Sequence, residues 1–303
     1  MIYTITFNPS LDYAIEIDEL RPYYFQRASG TKIAPGGKGI NTAIVLNRLG
    51  VDVIAIGFLG GHTGAVILNE LQKEGVITHF VPINEMNRIN LKFYHAERKT
   101  TSVNTPGPYI SKSELDDLYR RLDEIEAGSY VVFSGALAQG IPENTYATLM
   151  RYLRSKKVKI IVDAEAHYLK PAMQERPFLI KPNLTEFEDY FGLSSRLTKN
   201  YKEKDFAPYL RRLIDDGAEN VALTLGEKGA ILMDKNYNLY FERSPYVNVV
   251  SSVGAGDSFV AGFLASYSKD EDLAAALKFG VVCGAAAASV LFQATKEDVE
   301  KLL

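Results

Sequence analysis

The chain has 303 residues, 47% apolar and 23% charged, with a net charge of −3 and one cysteine, Cys283. A chain of that length buries a core without metal or disulfide staples, and its charge balance offers no basic surface for nucleic acid or an anionic membrane. A lone cysteine excludes an internal disulfide and suits a reducing compartment.

In chain order, Ile2–Phe7 alternates as a strand, without the charged start and long apolar run of a signal peptide. Gly39–Leu49 follows as a helix, then strand Val53–Phe58 and helix Gly64–Glu74. Helix Ser111–Ile125 carries a capping box, Ser111 with Glu114, before strand Tyr130–Ser134. Helix Pro142–Ser155 has proline in the first turn that tolerates it, and strands Lys159–Asp163 and Phe178–Lys181 come next. Helices Leu184–Phe191 and Asp205–Asp216 lead to strands Val221–Leu225 and Ala230–Asp234, and helices Ser258–Tyr267 and Glu271–Leu291 follow. The apolar run Phe279–Phe292 is too short to span a bilayer.

Alternating βα units imply an α/β fold with a mostly parallel sheet covered on both faces. Two segments, 12–33 and 88–103, interrupt the rhythm with strand-like alternation and no helix. Plain edge hairpins would satisfy that pattern. So would a small β lid over the mouth of the parallel sheet, its outer face covered by a second subunit. The expectation is one domain over 1–303 with such a lid, homodimeric through it, and cytoplasmic.

Four motifs could carry chemistry. Gly254-Ala255-Gly256-Asp257 opens a helix expected at Ser258. Small residues there let N–H groups and the helix N-terminus face one anion, and Asp257 could accept a hydroxyl proton or merely cap the helix. Pro35-Gly36-Gly37-Lys38-Gly39-Ile40-Asn41 is a glycine turn with Lys38 and Asn41 as polar contacts. It is not a Walker A loop, because Gly39 stands where Ser or Thr is needed. Lys181-Pro182-Asn183-Leu184-Thr185-Glu186 ends a strand. Asn183 and Glu186 fit a capping box, and the two, on one face of a helix turn, could also hold Mg²⁺ through water. Thr224-Leu225-Gly226-Glu227-Lys228-Gly229 is a hairpin or a nucleotide loop. If the inserts meet over the crevice, Arg27, Lys38 and Arg88 converge on one anion. The four histidines lack ligand spacing and no Gly-x-Ser-x-Gly elbow occurs, which disfavours a zinc site and a serine hydrolase. A dinucleotide oxidoreductase is disfavoured by the missing third glycine.

Taken together and in order, Asn8-Pro9-Ser10-Leu11-Asp12, Gly36 to Asn41, Ser134-Gly135-Ala136-Leu137, Lys181-Pro182-Asn183 with Glu186, Leu225-Gly226 through Gly229, and Gly254 to Ser258 resemble the ribokinase-like superfamily. Within it they resemble the phosphofructokinase B group. Asn8-Pro9 and Arg88-Ile89-Asn90-Leu91-Lys92 look most like 1-phosphofructokinases, with tagatose-6-phosphate kinases close behind. The resemblance implies ATP and Mg²⁺ as cofactors, and transfer to a ketose phosphate, with fructose 1-phosphate at C6 the leading acceptor and tagatose 6-phosphate or fructose 6-phosphate the alternatives. A catalytically inactive sugar-phosphate sensor is the rival of another class. By position it implies Asp257 as base, and Gly254, Ala255 and Gly256 as anion hole. Asp12, Gly37 and Asn41 would hold sugar hydroxyls, with Arg27, Lys38 and Arg88 near the substrate phosphate. Lys181, Asn183, Thr224, Gly226 and Gly229 would line the ATP site, and Glu186 would order Mg²⁺. Ala136 and Ser251 depart from the group's serine and from the aspartate of ribokinases.

Overall fold

A computed structural model describes residues 1–95, 100–194 and 201–303. Strand β1 (Ile2–Thr6) is buried along its whole length, which follows from neighbours on both sides and layers on both faces. The chain then makes β2 (Ser10–Ile17), β3 (Gly30–Gly36), α1 (Lys38–Arg48), β4 (Val53–Gly60) and α2 (Gly61–Lys73). Short strands β5 (Ile77–Thr78) and β6 (Val81–Ile83) precede the pair β7 (Arg88–His95) and β8 (Thr100–Asn104). A regular βα run follows: α3 (Lys112–Asp123), β9 (Tyr130–Ser134), α4 (Thr145–Leu153), β10 (Lys159–Asp163), α5 (Ala166–Met173), β11 (Leu179–Ile180), α6 (Leu184–Phe191) and α7 (Ala207–Asp215). Strands β12 (Asn220–Thr224), β13 (Ala230–Asp234) and β14 (Leu239–Glu242) come before α8 (Ala255–Asp270), α9 (Leu273–Ala288) and α10 (Lys296–Glu300).

The large sheet has ten strands in the order β14-β13-β12-β11-β10-β9-β1-β4-β5, with β6 also beside β4. It is parallel from β4 to β12 and antiparallel at the β12-β13-β14 edge. Side chains alternate between two cores, as the period of a strand requires. Tyr3, Ile5, Val131 and Phe133 meet α3 to α7, while Ile2, Val132 and Ile161 meet α1, α8 and α9. Among the described residues no helix is long and apolar enough to cross a membrane.

A second sheet of four strands, β3-β2-β7-β8, is built by two antiparallel pairs joined through parallel β2 and β7. Register puts Ser10, Asp12, Ala14, Arg88, Asn90, Lys92, Ser102 and Asn104 on one face. Leu11, Tyr13, Ile15, Ile33, Ile89, Leu91, Phe93 and Val103 share the other. Part of the expected insert 88–103, residues 96–99, lies outside the described residues, as do 195–200.

Several boundaries differ from expectation, and two of them have a clear cause. Helix α8 begins at Ala255, one turn earlier than Ser258, because Gly254 turns the chain into it. Helix α4 starts at Thr145, whose amide donates to the Pro142 carbonyl, so Pro142 precedes the helix.

Candidate active site

Strands β1, β9, β10 and β11 end on the same side of the sheet, where a parallel sheet presents its crevice. Above it lies a cavity of about 1090 Å³, roofed in part by the polar face of the small sheet and floored by the loops after the strands. A groove of about 580 Å³ adjoins it through Asn183 and Thr185 and is lined also by Glu186.

The roof is a hydrogen-bonded polar array. Lys92 Nζ lies 2.5 Å from Asp12 Oδ2, and both side chains are less than a tenth exposed. Asp12 Oδ1 accepts from Ser10 Oγ at 2.8 Å and from Asn90 Nδ2 at 3.1 Å. Arg88 is held by Nε donating to the Asn8 carbonyl at 3.2 Å, and the residue lines the cavity. Burial pulls the Arg88 pKa down, against the pull of Asp12.

The floor carries alternating charges. Asp163, at the end of β10, is 3.3 Å from Lys181 Nζ and 2.9 Å from Lys38 Nζ, and Lys38 also reaches Glu186 Oε1 at 3.2 Å. Burial opposes ionisation of Asp163, yet Lys181 and Lys38 outweigh it and hold its carboxyl below the usual range. Burial likewise disfavours charge on Lys38, but Asp163, Glu186 and Asp257 hold the ammonium firmly protonated. Asp257 differs. Its burial and the charge of Asp163 push it up to about 6, although Lys38, Asn41 and Lys181 pull the other way.

Asp257 stands in the first turn of α8, where the first helical bond is made by Ser258 N to Gly254 O. The helix itself does not use the amides before it, so they can face an anion, although that of Ala255 also donates to the Ser252 carbonyl at 3.4 Å. Gly254 has φ 82°, a left-handed value suited to glycine, and this aims the turn. A Cβ on Gly256 would stand 3.2 Å from Lys181 Nζ, so glycine there lets the ammonium approach the helix N-terminus. Asn41 Nδ2 donates to Asp257 Oδ2 at 2.7 Å. A carboxylate so placed can take a proton from a hydroxyl beside a phosphoryl group held by the helix amides.

At the other end, Thr224, Gly226 and Gly229 line the cavity together with Val247, Val281 and Ala285. The hairpin and nucleotide-loop readings of this stretch are compatible, since β12 and β13 pair across it while its turn borders the cavity. Asn183 and Glu186 form a full capping box on α6, and Glu186 keeps its second oxygen for Lys38.

Asp12, Gly37, Lys38, Asn41, Arg88, Lys181, Asn183, Thr224, Gly226, Gly229 and the run Gly254, Ala255, Gly256 and Asp257 all border the larger cavity. The expected convergence of Arg27, Lys38 and Arg88 is not found within one chain. Arg27 is exposed in the loop between β2 and β3 and does not line the cavity, and Lys38 is committed to Asp163 and Glu186. The second cation beside Arg88 on the roof is Lys92, which the residue-by-residue reading passed over. Its signal was there: Arg88, Asn90 and Lys92 share one strand face. Asp163, a strand-end acid, was also passed over.

The mostly parallel sheet, the small second sheet and the glycine-initiated helix bearing an acid define a ribokinase-like phosphotransferase. The profile described as pfkB family carbohydrate kinase matches residues 6–295, and the chain belongs to that family of ATP-dependent kinases. It is 35% identical to a 1-phosphofructokinase of Bacillus subtilis, over 100% of this chain and 97% of the relative. To a D-tagatose-1-phosphate kinase of Bacillus licheniformis it is 33% identical, over 100% and 96%. The structure of phosphofructokinase-2 from Escherichia coli in complex with substrates and products superposes with TM-score 0.92 at 28% identity, covering 99% of this chain and 97% of that one. Ribokinase from Arabidopsis thaliana shares the fold, with TM-score 0.77 at 19% identity over 99% and 97%.

Proposed function

We propose that this kinase moves the γ-phosphoryl of ATP to the C6 hydroxyl of fructose 1-phosphate, giving fructose 1,6-bisphosphate. The observation that carries the reading is a buried acid at a helix N-terminus, Asp257, facing a cavity whose roof holds Arg88 and Lys92. Arg88 and Lys92 receive the substrate phosphate, Asp12 and Asn41 take sugar hydroxyls, and Asp257 removes the C6 proton. The amides of Gly254, Ala255 and Gly256 hold the transferring phosphoryl. Lys181, Asn183, Thr224, Gly226 and Gly229 border the nucleotide, whose base suits the apolar wall at Val247, Val281 and Ala285. Positioning and electrostatics supply most of the acceleration in such transfers.

Mg²⁺ fits this site in one manner only. Among the described residues no three His, Cys, Asp or Glu side chains form a metal cage. Glu186 offers one oxygen already shared with Lys38, so it would hold the ion through an ordered water, with the nucleotide and solvent supplying the remaining oxygens. Bound there, it would neutralise charge developing on the transferred phosphoryl.

A second acceptor has specific support. Two relatives are named D-tagatose-1-phosphate kinases, so the tagatose phosphate indicated is the 1-phosphate, the C4 epimer of fructose 1-phosphate, and not the 6-phosphate expected from sequence. The deciding experiment is ADP release with fructose 1-phosphate, tagatose 1-phosphate, fructose 6-phosphate, tagatose 6-phosphate and the free sugars. Fructose 1-phosphate should give the highest kcat/KM. No turnover with any phosphorylated ketose would remove the reading.

Residues 1–303 act here as one kinase domain with the inserts 12–33 and 88–103 as its lid. Ile33, Ile89 and Val103 are 43%, 37% and 48% exposed on the lid's outer face, and a second copy covering them makes a homodimer. An E. coli relative is described in a tetrameric inhibited form, which supports association of copies. ATP as donor and the free thiol of Cys283 support a cytoplasmic setting.

A further inference from the structure

Gln293 lies in the segment between α9 and α10, far in sequence from every motif considered so far. Its Nε2 donates to Asn41 Oδ1 at 2.6 Å, and Asn41 Nδ2 in turn donates to Asp257 Oδ2 at 2.7 Å. A primary amide has one accepting and one donating end. Because Gln293 brings an N–H to the Asn41 oxygen, the Asn41 NH₂ must face the carboxylate. With that donor removed, only Asp257 itself orients the Asn41 amide, whose NH₂ is then held less firmly against the carboxylate.

Gln293 is itself held in place. Arg48, two turns beyond Asn41 on α1, donates from Nη1 to the carbonyls of Gln293 at 2.5 Å and Ala294 at 3.3 Å. Glu74 at the end of α2 fixes the guanidinium with two contacts, Nε to Oε2 at 2.9 Å and Nη2 to Oε1 at 2.6 Å. One helix therefore grips the same segment twice, through Asn41 and through Arg48.

We propose that Gln293 is a positioning residue for the base: it sets the amide orientation of Asn41, and the Arg48–Glu74 clamp holds Gln293 where it can do so. This rests on the reading of Asp257 as base. The charged and polar groups facing Asp257 are Lys38 and Asn41 from α1, Asp163 from the end of β10 and Lys181 from the end of β11. Of these only Asn41 has an amide orientation that a third residue helps to hold.

The test is the pH dependence of kcat for Gln293→Leu and for the isosteric Gln293→Glu, which serves should the leucine variant fold poorly. Weakening a hydrogen bond to a charged group raises the pH at which the acid limb falls, by up to about one to two units. Activity should then recover toward wild type at alkaline pH, which a packing defect would not produce. Gln293→Glu should move the limb further, since the introduced carboxylate attracts the Asn41 NH₂ away from Asp257. In an Asn41→Leu background, Gln293→Leu should move the limb no further. Unmoved limbs in both single variants, or shifts that add in the double variant, overturn the proposal while leaving the base in place, provided Asp257→Asn is inactive. An Asp257→Asn enzyme with near wild-type turnover removes the base and this inference with it.

Discussion

Asp257 is held between opposing influences, and the balance decides when it works. Burial and Asp163 raise its pKa to about 6, so the carboxyl proposed as base is ionised at neutral pH and protonated below. Turnover should therefore fall as pH drops through about 6, read as the acid limb of a kcat profile. Asp257→Asn should lose about 10²–10⁴-fold in turnover while ATP still binds, measured by steady-state kinetics and calorimetry. The roof makes a different prediction. Lys92 and Asp12 pair where both are nearly buried, so Lys92→Met leaves a carboxylate without its cation. That should cost about 3–5 kcal/mol in urea unfolding, and Asp12→Asn in the same chain should recover part of it. Sequence made Asp257, Asn41 and Arg88 legible because each sits in a short motif. Asp163 was not, since what gives it meaning is Lys38, 125 residues earlier. Arg27 was misplaced because a strand's alternation says nothing about how far its following loop carries a side chain from the sheet.

Among elements, strands with three or more consecutive buried apolar residues were readable from end to end: Tyr130–Ser134, Lys159–Asp163 and Ala230–Asp234 are as expected. Short edge strands were not. Ile77–Thr78 and Val81–Ile83 are too brief to show a period, and their strand character comes from β4 beside them. Helix α5 was hidden by Pro171, which reads as a breaker but is accommodated inside an eight-residue helix. The small sheet shows its alternation plainly, and its two faces have opposite chemistry. If the apolar face is where copies meet, Ile33→Glu with Val103→Glu should yield monomers in sedimentation at assay concentration. A wild-type chain that sediments as a monomer would remove the dimer.

For the molecule as a whole, the βα rhythm gave the parallel sheet, but strand order is a matter of distant pairing. β1 sits between β9 and β4, so the first strand made completes its neighbours only after Tyr130–Ser134 exists. Local pattern carries no such information, and the order emerged from the structure alone.

The link from Asn41 to Asp257 spans 216 residues, and that from Gln293 to Asn41 spans 252. Contacts of such separation are made late, because the intervening chain must be closed into a loop first. A growing or refolding chain can pack α1 onto β1 and β4 long before α8 arrives to supply the acid. Competence for phosphoryl transfer is then the last property acquired, and a half-made chain with its glycine turn already formed has no means of spending nucleotide. In refolding from urea, recovery of helical signal should run ahead of recovery of turnover.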